Sequence, residues 1–181
     1  MDLASLRSAV AGGARPEFVP FWGTDPEPGD VHVFSQWFPA PFRVGGVRYA
    51  TAEHWMMAAK ARTFGDTGAL ARVLADDDPA AAKQAGREVR GFDSATWDRE
   101  RYAVVVDGNR AKFGAGDRLT DALLGTGDAV LVEASPVDRI WGIGLAAGDP
   151  ALADPARWPG RNLLGFALMA VRAELRRRPP A

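Results

Sequence analysis

The chain is partitioned by its own helix-start signals. Thr51 precedes "AEHWMMAAKART", Asp66 or Thr67 precedes "GALARVLA", and Asp78 stands before Pro79. Ser94 starts a long run reaching about Phe113, and Asp117 precedes "RLTDALLG", which Gly125 stops. Side-chain oxygens at such positions accept hydrogen bonds from the unpaired first N–H groups of a helix, and proline suits the first helical position because no donor is needed there. A short helix is expected near the start, and a last one after "WPGRN". Extended structure is scarce by comparison. "PFRV" and "VRY" flank Gly45-Gly46, a hairpin signal, and "AVLVEAS" is an apolar run of strand length. The segment "SPVDRIWGIGLAAGDP" reads as loop with one short extended piece, and residues 12–20 as a Gly/Pro-punctuated lead-in. Strands this few, not alternated with helices, predict an α+β fold: a predominantly helical single domain with a small hairpin or sheet.

Composition removes whole classes of chemistry. A chain of 181 residues has the length of one domain with a sizeable core. It has no cysteine, so a disulfide framework, a thiolate metal site and a cysteine nucleophile are all excluded. His32 and His54 do not form a pair at ligand spacing, so no metal is expected, and no dinucleotide or phosphate-loop signature calls for a cofactor. A net charge of −1 argues against a protein that coats nucleic acid, although a local basic pocket stays open. No apolar run approaches bilayer length, and the acidic second residue and early arginine are unlike a secretory leader, which points to the cytoplasm and away from membranes. The arginines 176, 177 and 178 read as complements to the negative end of the last helix.

Three groups of residues could carry chemistry. Glu53, Met57, Lys60 and Phe64 are spaced four, three and four apart, which puts them along one stripe of the helix. A lysine amine framed by methionine and tryptophan can have a lowered pKa and attack a sugar C1. The plainer alternative makes Lys60 a snorkelling side chain and Glu53 a favourable first-turn carboxylate. In "VEASPVDRIWGIG", Glu133 ends the apolar strand, Asp138 follows beyond Ser-Pro, and Trp141 stands near. Two carboxylates there could divide acid and base duties, or Asp138 could simply cap a turn or pair with Arg139. The third group is aromatic and amide: Ser35, Gln36, Trp37, Trp97, Trp158 and Asn162, among which tryptophans serve the core or stack on a base.

Six stretches taken in order, "FSQWFPAPF", "YATAEHWMMAAKARTFGD", "AAKQAGREVRGFD", "AKFG", "LVEASPVDRIWGIGL" and "WPGRNLLGFALMAVR", resemble the YbiA-like, or NADAR, family from Phe18 to Arg172. The resemblance frames residues 18–176 as the domain, 1–17 as a lead-in and 177–181 as a tail. It implies hydrolysis of an N-glycosidic bond between ribose and a nucleobase-like group. The associated substrates are ribosylaminopyrimidine phosphates of the riboflavin pathway and ADP-ribose attached to guanine in nucleic acid. It further implies Lys60, Glu53, Glu133 and Asp138 as catalytic positions and Trp141 and Asn162 as substrate-binding ones; Ser35, Gln36, His54 and Trp97 are expected as further substrate contacts, and Arg87 as a phosphate clamp, since guanidinium forks suit phosphate oxygens, or equally as a structural ion-pair partner. Two departures stand out: Gln36 replaces the family's frequent asparagine, and Lys112-Phe113 is followed by Gly114-Ala115 rather than by Gln-Asn. The partner expected is a small ribosyl phosphate or an ADP-ribosylated nucleic acid, with ordinary charge favouring the former. A non-catalytic reader of ADP-ribose and a purely structural module are the competing classes, and the oligomeric state is left open.

Overall fold

In the computed structural model, which describes residues 1–24 and 28–177, the order of elements begins with α1 (Leu3–Ala11), β1 (Phe18–Phe21) and a 3-10 helix (Pro28–Phe34). The hairpin strands β2 (Phe42–Val44) and β3 (Val47–Tyr49) come next, then α2 (Ala52–Thr63), α3 (Thr67–Val73), α4 (Pro79–Arg87), α5 (Ser94–Phe113) and α6 (Asp117–Gly125). The chain continues through β4 (Val130–Glu133) and a short 3-10 helix (Pro155–Arg157) to α7 (Leu163–Arg176). Arg178 and the tail beyond it lie outside the described residues. The fold is α+β, as the spacing predicts, and none of its described helices is long and apolar enough to cross a membrane.

The caps act as their chemistry dictates. Thr51, Asp66 and Asp78 each accept an N–H from the first turn of the helix that follows. At α5 the capping side chain is Asp93, one residue before the expected start, and it accepts from Thr96 N–H at 2.7 Å. Arg177 donates to the Ala173 carbonyl in the last turn of α7, while Arg176 reaches across to Asp128 at 2.7 Å.

Two compact units result, one from Met1–Ser35 with Asp117–Ala181, the other from Gln36–Gly116. In the first, β1 pairs parallel to β4, with Phe18 opposite Val130 and Phe21 opposite Glu133. The sequence conceals β1, because Pro20 interrupts it. Proline is tolerated since alternate residues face the partner strand: Val130 and Ala134 donate to the Glu17 and Phe21 carbonyls, so position 20 faces away and needs no donor. The segment 135–162 carries no strand. Its extended piece is Ile143, whose N–H donates to Glu133 and whose carbonyl accepts from Gly160. Helix α7 packs on β4 around buried Leu131, Leu164, Leu168 and Val171. In the second unit, the Gly45-Gly46 turn has φ of 58° and 80°, the left-handed region that lets a two-residue hairpin close. Helices α3, α4 and α5 pack against α2, and Asp66 ties α3 to the end of α4 through Arg90. The Arg90 hydrogen bonds hold the Asp66 carboxyl far below the ordinary carboxylate range.

Gly165 admits α7 to β4: a Cβ there would stand 2.1 Å from the Leu131 carbonyl oxygen, a backbone atom that cannot swing aside. Gly165→Ala is therefore expected to cost about 1–3 kcal/mol or more, read as a lowered urea midpoint with unchanged slope. An unaltered midpoint would show that this contact does not set the spacing of α7 and β4.

Candidate active site

In the Gln36–Gly116 unit the candidate site grows from the first turn of α2. The Thr51 hydroxyl lies 2.8 Å from His54 Nδ1 and 3.4 Å from the His54 N–H, while the Gln36 carbonyl accepts the Glu53 N–H at 2.9 Å. Glu53 is thereby fixed by backbone bonds while its side chain is almost completely buried. One turn on, Met57 packs on Gly86 of α4, where a Cβ would come within 2.0 Å of the methionine sulfur. Another turn on, Lys60 Nζ donates to the Gly86 carbonyl at 2.7 Å and sits 4.2 Å from the centre of the Phe92 ring. Phe92 in turn meets Phe64 edge to face, so the far end of the stripe is aromatic. The amine is half-buried, and loss of water lowers its pKa from 10.5, enlarging the share of free base. The carboxyl and the amine stand two turns apart, roughly 10 Å of helix rise.

Several expected ligand contacts prove to be structural in this unit. His54 is buried with Nδ1 against the capping hydroxyl three residues before it, and burial lowers its pKa. The Gln36 amide is spent on Asn109, giving a hydrogen bond at 3.0 Å and receiving one at 3.3 Å. The longer amide in place of asparagine thus ties residue 36 to α5. Trp97 is a core side chain and offers no face for a base. Arg87 is exposed at the end of α4.

Sequence reasoning passed over Asn109 and Lys112, both fully buried on α5. Lys112 Nζ lies 5.6 Å from the Phe38 ring and 5.0 Å from that of Phe113, and desolvation pushes its pKa down to about 7. The available signal was their spacing: Val105, Asn109 and Lys112 share one face of the helix.

In the other unit, Glu133 closes β4 with its side chain half-buried. Asn162 is wholly buried in a left-handed conformation, φ 54°; its Oδ1 accepts the Glu133 N–H at 3.0 Å and its Nδ2 donates to the Leu131 carbonyl at 2.9 Å. It is a clamp on β4. Asp138 Oδ1 accepts from both the Ile140 and Trp141 N–H groups at 2.8 Å, which makes it the cap of a turn that holds half-buried Trp141. Ser35 is buried, its N–H donated to the His32 carbonyl. Trp158 is core as well, its indole N–H given to the Leu152 carbonyl. Among the described residues, no three His, Asp or Glu side chains gather closely enough to hold a metal ion.

The NADAR domain family matches residues 20–176. N-glycosidase R617 of Acanthamoeba polyphaga mimivirus is 41% identical over 163 residues, which cover 87% of this chain and 96% of that protein. Riboflavin biosynthesis protein VVA0006 of Vibrio vulnificus is 34% identical over 85% of this chain, which matches only 38% of that longer protein. N-glycosidase YbiA of Escherichia coli is 30% identical over 86% of both chains. The NMR structure of YbiA superposes with a TM-score of 0.72 at 27% identity, covering 90% of this chain and 87% of that one.

Asn162→Ala leaves two buried backbone groups without partners, at about 1–3 kcal/mol each, so the unfolding midpoint is expected to fall. An unchanged midpoint accompanied by a raised KM would make Asn162 a substrate contact instead. For Lys112 the sign follows from proton counting: between its folded value of about 7 and its ordinary 10.5 the unfolded chain binds more protons than the native one. The stability penalty is full below about 7 and fades towards 10.5. The stability difference between parent and Lys112→Met should therefore move in the parent's favour as pH rises from about 7 to about 9, measured by urea unfolding at each pH.

Proposed function

The chain belongs to the NADAR domain family and is an N-glycosidase, and from that premise we propose that it hydrolyses the bond joining ribose 5-phosphate to an aminopyrimidine. The observation that carries this reading is the Lys60 amine, half-buried and held at 2.7 Å on the Gly86 carbonyl, on the helix face that also bears buried Glu53. A ribosylamine opens to an imine at C1. The free amine of Lys60 adds to that carbon, the departing nitrogen takes a proton from a carboxylic acid, and the base leaves as a neutral amine. Water then adds to the lysine imine, with a carboxylate as base, and C1 is released as the sugar aldehyde while Lys60 regains its amine. Glu53, two turns away on the same face of α2, is assigned the proton transfers.

The pyrimidine class is favoured by the name of the Vibrio vulnificus relative and by a net charge of −1, which supplies little general attraction to a polyanion. Incubation with a ribosylaminopyrimidine phosphate, and in parallel with DNA bearing ADP-ribosylated guanine, separates the readings. Release of free aminopyrimidine is the expected result. Release from the DNA alone would reassign the substrate, and binding of either without release would make the protein a reader.

Borohydride added during turnover should reduce the imine and leave a sugar phosphate on Lys60, located by peptide mass. Lys60→Arg should abolish the adduct and slow base release at least about 100-fold, and Glu53→Gln should slow release by a similar factor. Turnover that leaves no adduct would favour direct displacement by water, and full activity of Lys60→Arg would remove that residue from the chemistry.

A further inference from the structure

The arginines of the Gln36–Gly116 unit are largely spoken for: Arg48 by Asp77, Arg72 by Glu88, Arg90 by Asp66, Arg101 by Asp98 and Arg110 by Asp107. Lys83 is different. It is half-buried on α4, its ammonium lies 5.4 Å from the centre of the Trp37 ring, and it makes no ion pair or hydrogen bond among the described residues. An ammonium has three donors, and a ring face claims the charge without using any of them. Holding a long side chain against an aromatic plane also removes part of the entropy that a free lysine loses on meeting an anion.

Its location follows from the contacts that build the stripe. Trp37 follows Gln36, whose carbonyl binds the Glu53 N–H, so the Trp37–Lys83 pair belongs to the Glu53 end of α2. Lys60 is bound at the other end, to Gly86. Lys83 and Gly86 are three residues apart on α4 and share a face, separated by about 4.5 Å of helix rise. Two amines, one engaged with a carbonyl and one with its donors unused, therefore flank a single short span of α4. Arg87, one turn beyond Lys83, is exposed and rests on no ring.

We propose that Lys83, seated on Trp37, is the anchor for the 5-phosphate of the ribosyl substrate and sets the preference for a phosphorylated sugar. The assignment rests on the reading of Lys60 and Glu53 given above. It makes Lys83 a specificity-determining residue that binds phosphate and takes no part in proton transfer or imine formation.

The test compares the parent with Lys83→Ala, Lys83→Arg and Trp37→Leu on a ribosylaminopyrimidine 5-phosphate and on its dephosphorylated counterpart. Lys83→Ala is expected to raise KM for the phosphorylated compound about 10- to 100-fold, with kcat within about twofold. The dephosphorylated compound should be unaffected, Lys83→Arg should recover most of the loss, and Trp37→Leu should give a smaller effect in the same direction. Equal losses on both compounds, or no loss on either, overturn the proposal. Binding of ribose 5-phosphate and of ribose, followed by calorimetry, gives a readout that needs no turnover. If the parent releases no base yet prefers ribose 5-phosphate, and Lys83→Ala abolishes that preference, the catalytic reading fails while the anchor stands. Equal affinity of the parent for the two sugars removes the anchor whatever the catalytic outcome.

Discussion

The absence of a side chain at Gly86 is the constraint on which the candidate chemistry rests. A Cβ at that position would stand 2.0 Å from the Met57 sulfur, so with any other residue there the Met57 side chain would have to leave its place between α2 and α4. The approach does two things together. It buries Met57 between the helices, and it brings a backbone carbonyl to 2.7 Å from the Lys60 amine. The first contributes packing energy and the second orients the amine. A carbonyl is well suited to the task because it orients an amine without a full negative charge, which would hold the proton on the nitrogen and oppose the lowering that burial produces.

Around that contact the unit from Gln36 to Gly116 is arranged by short polar bonds whose partners are buried. Residue 36 supplies its carbonyl to Glu53 and its amide to Asn109, so one residue holds both the helix start and α5. Lys112 lies on the same face of α5 as Asn109, deep enough that its amine is pushed down to about 7. An amine in so dry a setting costs stability whenever it must be charged. In the other unit Asn162 has the corresponding part, joining the start of α7 to β4 and thereby fixing the end of the strand that carries Glu133. Each amide immobilises, within its own unit, the backbone from which a carboxylate projects.

The comparison of sequence with structure divides by the range of the interaction. Helix starts at Thr51, Asp66 and Asp78 were legible because capping involves residues two or three apart. The Gly45-Gly46 hairpin was legible for the same reason, since its backbone requirement falls on the two glycines themselves. The stripe of Glu53, Met57 and Lys60 followed from helix periodicity. Strand β1 did not, because Pro20 reads as a strand breaker until its partner β4 shows which edge is bonded. Residues 54, 97 and 162 were expected at the ligand from the family resemblance and from the stacking capacity of a tryptophan ring. Burial and bond partners, which periodicity does not report, place them in a cap, in the core and in a clamp.

The sequence by itself determined the α+β class, the helix boundaries and the presence of an amine and a carboxyl on one face of α2, because each depends on neighbours within a few turns of the chain. Only the tertiary structure decided which amine is oriented, which is sunk beyond water and which keeps its donors unused. Lys60, Lys83 and Lys112 are the same letter in the sequence, yet a carbonyl on α4, the ring of Trp37 and a wholly dry interior give them different surroundings and different reach. Those environments are made by residues many positions away, and desolvation and orientation act through space rather than along the chain.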